Sequence, residues 1–123
     1  MKEKIVKESL DDLHKFKYDS IYGYIDYDYL VSMKYPEGLL VLNGSIVYKE
    51  WRRQGKFKEM LKTLLSKFPE GTIVQAAVIS KKLTSMFERI GFERVDKIEH
   101  WGSPANCTLL QGIINKNTLN LIN

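Results

Sequence analysis

Cysteine occurs once in the 123 residues, at Cys107, which rules out an internal disulfide framework and fits a reducing compartment. No apolar run approaches the roughly 20 residues that a membrane-spanning helix needs. The first residues, Met-Lys-Glu-Lys-Ile-Val-Lys-Glu, lack the apolar core of a secretion signal. A cytoplasmic location with no membrane partner is therefore expected. Internal repeats, low-complexity tracts and linkers are also missing, and no metal site is expected. What remains is 44% apolar and 28% charged, the balance of a globular chain. Its length suits a single domain with one core.

Basic residues outnumber acidic ones, 19 to 15, for a formal charge of +4. The cations gather in residues 49–67 and again at Lys81 and Lys82. A polyanionic partner would account for that clustering, and so would ordinary solvated lysines. The same region organises the chain. Residues 45–95 read as strand, basic glycine turn, helix, strand, helix. After Gly55 the apolar residues Phe57, Met60, Leu61, Leu64, Leu65 and Phe68 recur at spacings of 3, 1, 3, 1 and 3, one face of a helix packed on a core.

The start of this helix runs against the usual chemistry. A helix leaves its first backbone N–H groups without internal partners, and a Ser, Thr, Asp or Asn side chain normally accepts from one of them. Gly55 stands at the cap and has no such acceptor. The helix dipole favours negative charge in the first turn, yet Lys56 and Lys58 are there, with Arg52 and Arg53 just before. Free amides, a permissive glycine and four cations suit an anion. A basic turn solvated by water is the alternative on these residues alone.

Residues 72–80, Thr-Ile-Val-Gln-Ala-Ala-Val-Ile-Ser, are rich in β-branched residues and suit a central strand buried on both faces. Pro69-Glu70-Gly71 separates them from the preceding helix, giving a β-α-β unit with parallel strands. A second helix carries Leu83, Met86, Phe87 and Ile90 on one face and stops at Gly91.

Two stretches in this order resemble signatures of the GNAT superfamily of acetyl-CoA-dependent N-acyltransferases. Arg52-Arg53-Gln54-Gly55-Lys56-Phe57 is similar to its pyrophosphate-binding pattern Q/R-x-x-G-x-G/A, with Phe57 replacing the last small residue. Phe87-Glu88-Arg89-Ile90-Gly91-Phe92 is similar to its later Y-E-K-x-G-F signature, with Phe87 replacing tyrosine. The resemblance covers residues 40–100 well and the flanks loosely. It implies an α/β fold whose mixed, mostly antiparallel sheet contains a central splayed parallel strand pair with flanking helices. It divides the single domain 1–123 into a short acceptor-side region 1–38, a coenzyme-A-binding core 39–95, C-terminal strands 96–114 and a tail 115–123.

In the first region Ser9 is a plausible cap for a short helix through Leu10, Leu13 and Phe16. Residues 21–35 hold Tyr22, Tyr24, Tyr27, Tyr29 and Tyr35 among Asp26 and Asp28. They read as a strand using tyrosine for its β-propensity, or as an acceptor-pocket wall whose aspartates attract an amine. Pro36-Glu37-Gly38 is a turn. Asn43-Gly44 is either a hairpin turn or a bulge inside one strand. The resemblance selects the bulge, because GNAT folds splay two strands around such a distortion. Residues 92–101 read as an antiparallel strand ending at His100-Trp101, residues 107–114 as a final strand, and residues from Asn115 as a polar tail whose Leu119, Leu121 and Ile122 could dock.

The resemblance implies a coenzyme site built from Ile46, Val47, Tyr48, Arg52, Arg53, Gln54, Gly55, Lys56, Phe57, Lys58, Ser80 and Phe87, with acetyl-CoA as the cofactor. Backbone groups near residues 46–48 would polarise the thioester. The catalytic groups are less well provided for. The thiolate-protonating tyrosine of the family falls at Phe87, which cannot donate a proton, and the asparagine seven positions earlier is Ser80. The family's basic glutamate falls near Val41. His100, Glu37, Asp26 and the tyrosine cluster are the remaining base candidates, while Asn43 and Ser45 could order a water. Cys107 reads as a small core residue, since nothing nearby activates it.

The expected function is acetyl transfer from acetyl-CoA directly to an amine on a small molecule or protein, without a covalent enzyme intermediate. A homodimer could complete the acceptor site. One rival is a coenzyme-A-binding sensor or interaction module without turnover, motivated by Phe87 and Ser80. Another is a basic nucleic-acid-binding module, against which the buried strand at 72–80 and the lack of a recognition motif argue.

Overall fold

The computed structural model describes residues 14–96 and 107–122. Leu39, Leu40, Val41 and Leu42 are all buried, and a strand buries four residues in a row only when both of its faces are covered. They open β3 (Leu39–Val47), the centre of a sheet that has six strands among the described residues. The other strands are β1 (His14–Ser20), β2 (Gly23–Leu30), β4 (Ile73–Val78), β5 (Glu93–Arg94) and β6 (Thr108–Ile113). Their spatial order is β1-β2-β3-β4-β6-β5. β3 and β4 pair in parallel, and every other neighbouring pair is antiparallel. The expected mixed sheet with a central parallel pair is therefore present.

Parallel neighbours need a crossover, and α1 (Lys56–Leu65) supplies it. Its Met60, Leu61, Leu64 and Leu65 are at most 1% exposed. Each such side chain contributes about 1.5–3 kcal/mol through burial, so packing fixes this helix despite its uncapped start. α2 (Lys81–Arg89) lies on the same core with Met86 and Phe87, followed by Ile90 and Phe92. Alternation along β3 sends Leu40 and Leu42 into this main core and Leu39 and Val41 into a smaller cluster with Leu30 on the opposite face.

Asn43 is a bulge, as expected. Asp26 opposes Gly44 and Tyr27 opposes Leu42, leaving Asn43 as the extra residue. The ladder between β3 and β4 runs from Leu39–Ile73 to Leu42–Ala76 and no further. β4 continues to pair with β6 through Val78–Thr108. Beyond Leu42 the parallel pair is therefore unzipped, and an opening forms between the two strands.

Two elements differ from expectation. Residues 14–20 form a strand, not the end of a helix. Phe16 stacks on Tyr27 with centroids 5.3 Å apart, and Tyr18 packs against the core, while the intervening Lys17 is exposed. That is a period of two. The earlier part of the expected helix lies outside the described residues. The expected polar tail contains a helix, α3 (Lys116–Leu121). Asn115 Oδ1 accepts from the Thr118 amide at 2.8 Å, and Thr118 Oγ1 donates to the Ile113 carbonyl at 2.7 Å. This cap lets Leu119 and Ile122 dock on the main core.

β5 spans only Glu93–Arg94, with Val95 N donating to Leu109 O at 2.9 Å. The remainder of the strand expected over 92–101, from residue 97 on and including His100, lies outside the described residues. No helix among the described residues is long and apolar enough to cross a membrane.

Candidate functional site

The opening between β3 and β4 is a cleft of about 310 Å³ lined by residues of both strands together with Phe57, Leu83 and Phe87. Its walls are mainly apolar, with Asn43, Ser45 and Ser80 as the polar side chains. Asn43 Oδ1 is buried there without a hydrogen-bond partner. Unmet acceptors of this kind are rare in folded proteins. Backbone groups face the cleft too. Tyr48 N donates to Tyr22 O at 2.8 Å, and hydrogen-bonded pairs alternate along an antiparallel ladder. Ile46 and Gly44 therefore turn their backbone groups towards β2, while Ser45 and Val47 turn theirs towards the opening. Of residues 46–48 only Val47 turns its backbone amide to the opening, since the Tyr48 amide is committed to Tyr22.

The chain leaves β3 through a short 3₁₀ turn, Lys49–Trp51, and then doubles back into α1. Two residues in the left-handed region make this possible, Arg53 at φ 64° and Gly55 at φ 72°. An added Cβ at Gly55 would meet nothing within 4 Å, so glycine is needed there for its backbone angle and not for space. Arg53 has no such freedom, and its conformation costs about 1 kcal/mol or more. Two side chains brace the turn. Arg52 Nε donates to Val47 O at 2.9 Å, and Gln54 Nε2 donates to Glu50 O at 3.0 Å. α1 then starts with no side-chain cap, and its first amides point outward with the positive end of the helix dipole.

The cations of the turn are not equivalent. Lys56 Nζ sits 3.0 Å from Glu59 Oε2, 4.5 Å over the Tyr22 ring and 5.8 Å from the Trp51 ring. Tyr22 and Trp51 meet edge to face at 4.9 Å. The hydrogen bond to Glu59 holds the Lys56 ammonium above its usual range, with attraction to Glu59 and Tyr22 outweighing partial desolvation. Lys56 is thus compensated within the protein. Arg53 and Lys58 have no ion-pair partner among the described residues, and both face a second cleft of about 290 Å³. That cleft runs from the turn to α2 and shares Phe57 and Leu83 with the first. The two adjoin at these side chains, giving a groove with the bulge at one end and the start of α1 at the other.

The other expected residues are placed as follows. Ile46 and Tyr48 are exposed at the end of β3. Ser80 caps α2, its Oγ accepting from the Leu83 amide at 3.2 Å. Phe87 is 2% exposed, with its ring 5.0 Å from Phe92 and 6.3 Å from Phe57. Glu37 is not brought to the groove. It lies beside Gly71 and Tyr29 at the opposite end of β3, six residues before Asn43, or about 20 Å along the strand. Asp26 pairs with Gly44, next to the bulge.

Tyr27 and Tyr29 pack on Phe68. Burial raises both phenols, with Glu37 adding to the effect at Tyr29, and both side chains are half-buried against the main core. Cys107 is half-buried just before β6. No group of three or more His, Cys, Asp or Glu side chains that could hold a metal occurs among the described residues.

Sequence reading singled out Lys82 as one of the clustered cations and Met86 as part of the apolar stripe of α2, but missed that both line the second cleft together with Arg89. Their spacing of four and three residues places the three on one helix face, which the assignment of Met86 to the core stripe hid.

No family model matches the chain, and no curated protein matches it. Solved structures do. Naa50 of Arabidopsis thaliana, in complex with the bisubstrate analogue CoA-Ac-MVNAL, superposes with a TM-score of 0.53 at 15% identity. The match covers 74% of this chain and 64% of that one. NAA60 of the same plant, in complex with a bisubstrate analogue, gives a TM-score of 0.53 at 12% identity, covering 76% and 65%. The matched region thus spans just under two thirds of the length of either structure.

Proposed function

We propose that this chain, which has the fold of the GNAT acetyltransferases, binds acetyl-CoA in the groove and transfers its acetyl group to an amine. One observation carries the reading: the opening created by the Asn43 bulge adjoins the cleft at the uncapped, cation-lined start of α1. A diphosphate fits the outward amides of residues 54–58, with Arg53 and Lys58 beside them. The pantetheine arm fits the unzipped edge of β3, where the Val47 amide and the Ser45 carbonyl bond its amides as an added strand would, the Val47 carbonyl being held by Arg52. The thioester then lies in the apolar cleft near the bulge, whose lining includes Ser45, and the outward Ser45 amide polarises its carbonyl.

The neutral amine attacks the thioester carbonyl, a C–N bond forms, the C–S bond breaks and the sulfur leaves as thiolate. The amine's surplus proton passes to solvent or to a base. The neighbours' bisubstrate analogues unite both reactants in one molecule, which supports direct transfer over a covalent enzyme intermediate.

A second reading, a coenzyme-binding domain without turnover, is favoured by Phe87, which leaves the cleft wall without a phenol to protonate the departing thiolate. Two measurements on one sample separate the readings. Saturation at about 100 times the dissociation constant adds about 2.7 kcal/mol, which raises the unfolding midpoint of a domain this size by about ten degrees. That shift is expected with acetyl-CoA and with desulfo-CoA but not with ATP. Thiol release from acetyl-CoA, accelerated by peptides bearing a free N-terminus or by small amines, then identifies an acetyltransferase. A shift without accelerated release selects the binding module, and no shift with either coenzyme overturns both.

A further inference from the structure

The second cleft holds more positive charge than a diphosphate accounts for. Arg53 and Lys58 stand on its turn side, together with the first amides of α1. Lys56 is neutralised by Glu59, and Arg52 is tied to the Val47 carbonyl. The opposite wall, on α2, adds Lys82 and Arg89. These residues are seven positions apart, two helical turns or about 10.5 Å on one face, with Met86 between them.

Both α2 cations are exposed, and neither pairs with an acid among the described residues. The acid nearest in sequence, Glu88, is held instead by Arg94, with Nε 2.9 Å from Oε2. Five cations uncompensated by carboxylates, Arg52 among them, thus face one cleft, a repulsive arrangement that a bound polyanion relieves. A diphosphate carries about two negative charges, which Arg53, Lys58 and the helix dipole already balance. Lys82 and Arg89 are left over for a further anionic group, on the wall across from the diphosphate.

We infer that Lys82 and Arg89 bind the 3′-phosphate of the coenzyme, so that the chain selects coenzyme A over its 3′-dephospho form. The inference rests on the coenzyme reading above. A phosphate monoester offers three acceptor oxygens and up to two charges, and bonds to it from lysine and arginine are charge-assisted. Their position on the solvent side of α2, away from the core face, leaves both free to serve a ligand at no cost to folding.

Calorimetric titration of the full chain with coenzyme A and with 3′-dephospho-coenzyme A tests this directly. The wild-type protein is expected to bind coenzyme A at least tenfold more tightly. In the double variant Lys82→Ala, Arg89→Ala that ratio falls to within about twofold. Lys116→Ala, which removes one charge on α3, keeps the wild-type ratio and so controls for net charge. Equal binding of the two ligands by the wild-type protein, or a ratio that survives the double substitution, overturns the inference while the coenzyme reading stands. Binding of neither ligand overturns both.

Discussion

On the proposed coenzyme reading, Gly55→Glu is expected to lower the affinity for acetyl-CoA at least about a hundredfold and to leave a folded protein. The two effects separate because of where Gly55 sits. Its φ of 72° suits glycine, but no heavy atom lies within 4 Å of an added Cβ, so the new side chain meets no wall. The folding penalty is the left-handed backbone alone, about 1–2 kcal/mol, and the attraction of a carboxylate to the helix start offsets part of it.

Binding suffers far more. The carboxylate would occupy the place proposed for the diphosphate, beside the first amides of α1, and oppose the ligand's own charge. A hundredfold loss corresponds to about 2.7 kcal/mol, within the range for losing charge-assisted bonds and gaining a repulsion. Gly55→Asn provides the contrast, because asparagine tolerates the left-handed region and carries no charge. Calorimetry should find its affinity within a few-fold of wild type. Equal affinity in the glutamate variant would mean that the glycine turn does not hold the coenzyme.

Phe87→Tyr is expected to raise turnover about ten- to a hundredfold with little change in KM for acetyl-CoA. General acid catalysis contributes typically about 10²–10⁴ in rate, and a transplanted group without its refined surroundings recovers part of that. Phe87 lines the cleft between β3 and β4 and is 2% exposed. A new hydroxyl there must find a partner or cost about 1–3 kcal/mol. The same cleft contains the unpartnered Asn43 Oδ1, an acceptor suited to that role. The readout is kcat for thiol release, alongside an unfolding midpoint that falls by only a few degrees. An unchanged or lower kcat would show that protonation of the thiolate does not limit this protein.

The parts of the fold legible in sequence are those where local chemistry and packing agree. The spacing from Phe57 to Phe68 fixed the face of α1. The β-branched run at 72–80 located β4, and Asn43-Gly44 marked the bulge that opens the cleft. Gly55 stood out as a cap with no acceptor, although its left-handed backbone angle appeared only in the structure. The misses have physical causes as well. His-Lys-Phe-Lys-Tyr-Asp-Ser is too short to separate a period of two from one of 3.6, and its partner strand β2 decided the matter. α3 is six residues long, too short to form alone, and it depends on Thr118 reaching the Ile113 carbonyl.

At the site, position in the chain did not foretell which cations remain free. Lys56 is taken up by Glu59 in its own helix and by the rings of Tyr22 and Trp51, one of them 34 residues away in sequence. Arg89 entered the cleft wall because α2 packs with its other face on the core. Gly112 lies under the Phe92 ring, where a Cβ would come within 2.4 Å of Cδ1. That contact helps seat the ring beside Phe87, and no local pattern signals it.

The central claim is that one ligand spans the groove from the bulge to the start of α1. The most direct test is the backbone amide NMR spectrum of the ¹⁵N-labelled protein, titrated with acetyl-CoA. The predicted result is a set of large shifts confined to two stretches, residues 43–47 of β3 and residues 53–58 at the turn, with smaller shifts along α2 and none at the Glu37 end of the sheet. Shifts limited to the turn would contradict the groove and leave only an anion site. A spectrum that does not change at saturating acetyl-CoA would contradict the account as a whole.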